Sequence, residues 1–293
     1  MGTSEESAFS ICYEKSIGDA FSLAILLMKQ KDWPNVSSLI YDEIYTRYTN
    51  QESLPSNLIE LFIKSSSVDF HFKMDELMRD ESNIKYCSAA AGSLQKKFLI
   101  MRELNNKIQK CELDEKRIED YLSYYTSYNA MPLTFDVELS ENNWNRVRRL
   151  SSSGHPSDAF PPLRELNRQS FEQLYKPISK EVFTIVDKFT GNEEVAHCFS
   201  EKLLCYNTCY EEQGKRGEKR YFSDVKEIRN CDSHFEFHEK DDQIIFKSSK
   251  IEKKFTLDDM LTYMVVCASN YDLLFRFVPF LHLAVLRKIE SIM

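Results

Sequence analysis

An arginine and a histidine five residues apart, Arg229 and His234, are the pair in this sequence best suited to phosphodiester chemistry. A guanidinium offers phosphate oxygens a fixed fork of donors. An imidazole titrates near neutral pH and can move a proton. The pair lies in Val225-Lys226-Glu227-Ile228-Arg229-Asn230-Cys231-Asp232-Ser233-His234. On an unbroken helix five residues turn two side chains about 140° apart, so convergence needs long side chains or a helix that ends between them. The same residues have a purely structural reading, in which Arg229 pairs with Asp224 or Glu227 and His234 closes a helix. Just upstream, Lys215-Arg216-Gly217-Glu218-Lys219-Arg220 gathers four cations that suit a local phosphate-binding patch or a solvated loop between helices.

Other constellations carry less. His197, Cys198, Cys205 and Cys209 crowd one expected helix, where Cys205 and Cys209 at i, i+4 would share a face. The Cys-x-x-Cys spacing of structural zinc sites is missing, and buried thiols on an apolar face explain them. His238 shares a two-residue strand period with Glu236 and His234. Arg146, Arg148 and Arg149 form a second small basic group that fits an exposed surface. There is no glycine-rich phosphate loop, no His-Glu-x-x-His pair and no serine elbow between glycines, which leaves nucleotide hydrolysis, metalloprotease and esterase chemistry without support. No metal or cofactor is expected.

The elements that would position these residues are mostly helices. Only 7 Gly and 8 Pro in 293 residues make a chain poor in turns, and 42% hydrophobic content supports a real core. Apolar periodicity predicts two helices over Ser16–Arg47 broken near Trp33-Pro34, and a third over Pro55–Lys64. Further helices follow over Lys85–Gln109, with Leu94, Phe98, Leu99, Met101 and Leu104 as its buried stripe, and over Asp114–Tyr128. The rhythm lapses between Asn129 and Pro162, a candidate boundary, so the expected organisation is an N-terminal helical domain (1–130), a linker (131–162) and a C-terminal helical domain (163–293).

In the last part, helices are expected over Leu163–Lys188 with a break or kink at Pro177, over Glu193–Glu212, and within Tyr221–His234. Phe235-Glu236-Phe237 and Gln243–Lys247 around the turn Glu239-Lys240-Asp241-Asp242 predict a short β-hairpin. Thr256-Leu257-Asp258-Asp259 opens a long apolar helix through a capping box, with Pro279 expected to kink or divide it.

The order Arg229, Asn230, three variable residues, His234, then a hairpin and a capped C-terminal helix resembles the HEPN superfamily of RNA-cleaving and toxin-related domains. The resemblance covers about Leu163 to the C-terminus. It implies a HEPN-type helical bundle that cleaves RNA without a metal: the ribose 2′-hydroxyl attacks the adjacent phosphorus, His234 transfers the proton, Arg229 binds the phosphate and Asn230 orients them. Lys215, Arg216, Lys219, Arg220 and Lys226 would then contact RNA. It also implies a homodimer with two motifs facing each other, and a place in a toxin or antiviral defence system, the first half sensing a trigger or holding a partner. The alternative is a non-catalytic dimerisation module. The departure is Cys231-Asp232-Ser233, where many relatives carry small apolar residues; Asp232 would either hold His234 charged or repel RNA.

A net charge of −8 argues against a broad basic surface that coats nucleic acid, though not against a local cationic cleft. Eight cysteines without a framework spacing, no basic leader followed by an apolar run, and an apolar stretch Leu273–Leu286 interrupted by Arg276, Pro279 and His282 lead to the expectation of a soluble cytoplasmic protein with no membrane partner.

Overall fold

The computed structural model describes residues 84–127, 137–151, 155–205, 209–213 and 219–293, with 39, 42–44, 46, 47 and 50. The helices expected over Ser16–Arg47 and Pro55–Lys64 therefore lie outside the described residues, apart from those few positions, of which all but Asn50 are helical. The chain divides into two compact units, Met1–Ala91 and Gly92–Met293. That division falls well before the boundary expected from the lapse at Asn129. Among the described residues the expected linker holds a helix and a 3₁₀ turn with Trp144, Val147 and Ala159 buried, so it is part of the second unit's core.

The fold is mostly helical with small antiparallel sheets. Helix α1 (Ile84–Lys110) is followed by α2 (Glu115–Ser127), α3 (Val137–Ser151) and a long helical run from Phe160 to Thr190. That run is α4 (Phe160–Ser170), a π-helical turn (Phe171–Tyr175) and α5 (Lys176–Thr190). The predicted break at Pro177 takes this form. Proline supplies no N–H for the residue four positions back and crowds its carbonyl, and the chain widens into a π turn just ahead of it instead of stopping. Helix α5 ends on Gly191 at φ 60°, where a Cβ would come within 3.0 Å of the Arg117 guanidinium.

Asn192 then caps α6 (Glu193–Leu204), its side chain accepting from the Val195 N–H at 3.0 Å. Helix α6 stops eight residues earlier than the periodicity suggests. Cys205 is extended, and Cys209–Gln213 (β1) pairs antiparallel with Lys219–Ser223 (β2), a hairpin the sequence reading takes for helix and loop. Cys205 and Cys209 thus do not share a helix. Among the described residues no three His, Cys, Asp or Glu side chains gather as a metal site would require. The end of α6 is served instead by Lys97 from α1: its buried ammonium donates to the carbonyls of Lys202, at 3.0 Å, and Cys205.

Helix α7 (Asp224–Ser233) carries the Arg229 motif, followed by β3 (Phe237–Lys240), β4 (Gln243–Lys247), β5 (Glu252–Thr256) and α8 (Leu257–Glu290). A hairpin is present as β3–β4, but its first strand is Phe237–Lys240 and not Phe235–Phe237: Glu239 and Lys240, expected in the turn, pair with Ile244 and Gln243, and Asp241 and Asp242 alone close it with φ of 52° and 56°, the geometry of a two-residue type I′ turn. A third strand, β5, pairs antiparallel with β4 and completes the sheet. The capping box forms as predicted: Thr256 Oγ1 accepts from the Asp259 N–H at 3.1 Å and the Asp259 carboxylate accepts from the Thr256 N–H at 3.0 Å. Pro279 does not divide α8. Phe277, Val278 and Leu281 are buried on either side of it and hold the helix across the missing bond, while Pro279 itself is exposed.

By length and composition α8 would be apolar enough to cross a bilayer, and most of its most apolar stretch is buried inside the protein. Helix α8 packs against α4 and α5, where Leu163, Leu166, Ile178, Val182 and Ile185 are buried, and Leu94, Phe98 and Leu104 of α1 are buried as well. Each such side chain stabilises the fold by about 1.5–3 kcal/mol on full burial. Leu99, expected in the α1 stripe, is half exposed, because one residue after Phe98 the helix has already turned by about 100°. Within the core, Ser93 and Asn270 bond side chain to side chain at 2.9 Å, and His282 Nδ1 meets the Tyr121 hydroxyl at 2.8 Å.

Candidate functional site

Helix α7 packs against the π turn, α4, β2 and β4, and this places the first half of its motif on a cavity of about 400 Å³. One wall comes from the π turn and α5: Phe171, Glu172, Tyr175, Lys176, Ser179 and Lys180. The other comes from Glu201 and Leu204 of α6 and from Lys226, Arg229 and Asn230 of α7. The widened turn lays three of its five residues, Phe171, Glu172 and Tyr175, along the cavity, with the rings of Phe171 and Tyr175 stacked at 5.9 Å and 12°.

Arg229 is the hub. One of its terminal nitrogens pairs with the Glu172 carboxylate, and the other donates to Asn230 Oδ1 at 3.3 Å. Its guanidinium carbon lies 5.4 Å from the Phe171 ring centre. Its Nε is buried and has no hydrogen-bond partner among the described residues. The partner acid is neither of those the sequence suggests: Asp224 is fully buried at the start of α7, and Glu227 accepts from Lys250 at 3.4 Å.

Glu172 also takes a bond from Lys176 at 3.1 Å. Burial pushes its pKa up, but the hydrogen bonds and positive charges of Lys176 and Arg229 outweigh it and hold the carboxyl below its ordinary value. On the far wall Lys226 pairs with Glu201 at 3.1 Å. Four cations against two carboxylates leave the cavity net positive, and the Lys180 ammonium has no carboxylate partner among the described residues.

His234 stands apart. It is exposed, and it is not among the residues that line the cavity. Its N–H donates to the Asn230 carbonyl at 2.9 Å, and the chain then leaves the helix through a Schellman motif: Glu236 N–H to Cys231 O at 2.8 Å and Phe235 N–H to Asp232 O at 3.4 Å. The left-handed position of that motif, normally glycine, is held by Phe235 at φ 57°, with its ring 81% exposed. Helix α7 thus runs unbroken from Arg229 to Ser233 and does not end between the two residues, so within one chain Arg229 lines the cavity and His234 does not. His238 and Glu236 are also exposed, with only His238 in β3.

The atypical residues inside the motif have structural partners. Cys231 is buried, which pushes its thiol pKa up. Asp232 is buried and accepts from Arg164 Nε of α4 at 2.6 Å, and that guanidinium lies 3.5 Å over the Phe237 ring. Its charge is thus answered by Arg164, a partner the sequence reading does not weigh.

Of the other basic residues singled out in sequence, Lys226 lines the cavity, Lys219 and Arg220 lie in β2 opposite Gln213 and Glu212, and Lys215 and Arg216 lie outside the described residues. Arg146, Arg148 and Arg149 belong to α3 and are not among the cavity-lining residues. The residues the sequence reading misses are Phe171, Glu172, Tyr175, Lys176, Lys180 and Glu201. The trace that could have found the first four is Pro177, which marks where the helix must deform, with Glu172 and Lys176 at ion-pair spacing ahead of it.

Comparison of the chain with protein-family models, with curated proteins and with solved structures finds no match.

Proposed function

We propose that the second unit is a HEPN-like, metal-independent endoribonuclease, working as a homodimer in the cytoplasm. The observation that carries this reading is Arg229 bonded to Asn230 on the wall of a net cationic cavity, on a helix that terminates at an exposed His234. In the reaction the ribose 2′-hydroxyl loses its proton to His234 and attacks the neighbouring phosphorus. Arg229 stabilises the added negative charge on the phosphoryl oxygens, the 5′-oxygen leaves with a proton returned to it, and the product is a 2′,3′-cyclic phosphate. Because His234 lies off the cavity in one chain, two copies facing each other would bring the histidines to the phosphate. A role in toxin or antiviral defence, with the first unit sensing a trigger, belongs to the same proposal.

A non-catalytic interaction module is the competing reading, and it draws on one fact: Glu172 already occupies the Arg229 guanidinium. The two part on cleavage of a mixed RNA pool in EDTA by wild type, His234→Ala and Arg229→Ala, with product ends analysed. Cleavage to cyclic phosphate ends that each substitution reduces by about 10²–10⁴-fold supports the nuclease. Folded dimers of wild type that leave every RNA intact favour the module.

A further inference from the structure

We infer that the cavity between the π turn and α7 is a single-nucleotide subsite, seating one base against Phe171 and its phosphate among Lys180, Lys226 and Arg229. The choice of a nucleotide over other aromatic phosphates rests on the ribonuclease reading; the site itself rests on three independent features. The first is size: about 400 Å³, within the roughly 300–1,000 Å³ of small-molecule sites. The second is its two-part lining. Phe171, Tyr175 and Leu204 give an apolar side, whereas Lys180 and the buried Nε of Arg229, which among the described residues have no carboxylate and no hydrogen-bond partner respectively, give donors for an anion. The third is the backbone. A π turn is uncommon, and helices that keep one often do so at functional sites; this one sets Phe171, Glu172 and Tyr175 on the cavity.

Glu172 gives the subsite its selectivity. It bridges Lys176 and Arg229, so an entering phosphate must compete with it. A bare phosphate offers only charge for that exchange, and a nucleotide adds base stacking on Phe171.

The test is calorimetric titration of the full chain with adenosine 3′-monophosphate, inorganic phosphate and adenosine. The nucleotide is expected to bind at least about tenfold more tightly than phosphate, since stacking on one aromatic ring is commonly worth that much or more. Phe171→Leu should remove this advantage and leave phosphate binding unchanged, and Phe171→Tyr should restore it. Lys180→Gln should weaken nucleotide and phosphate alike and flatten the salt dependence. Absence of saturable nucleotide binding at millimolar concentration, or nucleotide binding indifferent to both Phe171→Leu and Lys180→Gln in folded protein, overturns the inference. Nucleotide binding without any RNA cleavage sinks the ribonuclease reading alone; cleavage without nucleotide binding sinks this one alone.

Discussion

Glu172 and Arg229, 57 residues apart in the chain, form an ion pair between the π turn and the motif helix, and Lys176 pairs with the other oxygen of the same carboxylate. The pair couples the π turn to α7 and engages the guanidinium that an anionic ligand would need. Replacing the carboxylate changes both properties in opposite directions.

Glu172→Gln should bind RNA or nucleotide about tenfold more tightly, because one charge competing for Arg229 is gone; filter binding at fixed salt measures this. Its stability effect runs the other way and is small. The side chain is about one-third exposed, so the pair contributes about 0–1 kcal/mol. A carboxyl whose folded pKa is lowered stabilises the fold above its ordinary value of 4.5 and loses that contribution as pH falls through the lowered folded value. The Tm difference between wild type and Glu172→Gln should therefore be constant at neutral pH and vanish in acid. A difference that persists when both side chains are uncharged would show that the carboxylate's charge is not its source.

Lys97→Met keeps the length and apolar stem of the side chain but removes the ammonium that serves the Lys202 and Cys205 carbonyls at the end of α6. A buried acceptor left without its donor costs about 1–3 kcal/mol, so urea unfolding should show a loss of at least that size. An unchanged midpoint would mean that water reaches those carbonyls.

Phe235→Gly addresses the turn directly after His234. A non-glycine residue in the left-handed region costs about 1–2 kcal/mol, and the greater freedom of unfolded glycine returns roughly 0.5–1 kcal/mol of that. The substitution should raise stability by up to about 1 kcal/mol, since the exposed ring of Phe235 has little packing to lose. A clear destabilisation in thermal melts would show that the ring is covered in the folded protein, as it would be at a dimer interface.

The sequence by itself determined what depends on neighbours a few residues away. The Thr256–Asp259 capping box, the reversal at Asp241-Asp242 and the short helix bearing Arg229 and Asn230 are all set by local hydrogen bonding and backbone preference, and local rules find them. The helical class follows from apolar spacing for the same reason.

Where the reading failed, a distant partner decided. Helix α6 ends at Leu204, where Lys97 arrives from α1, and the chain beyond it finds a strand partner in 219–223 instead of extending the helix. Glu252 to Thr256 carries no strand expectation in the sequence and becomes β5 because β4 offers it a ladder. Pro177 announced a distortion but not its form, nor that the deformed turn would carry Glu172 to Arg229. Likewise Asp232 looked like a companion of His234 and is spoken for by Arg164. Ion pairs and ladders between residues tens of positions apart form only after packing has chosen which surfaces meet. The cavity is made almost wholly of such meetings, so tertiary structure alone decided it.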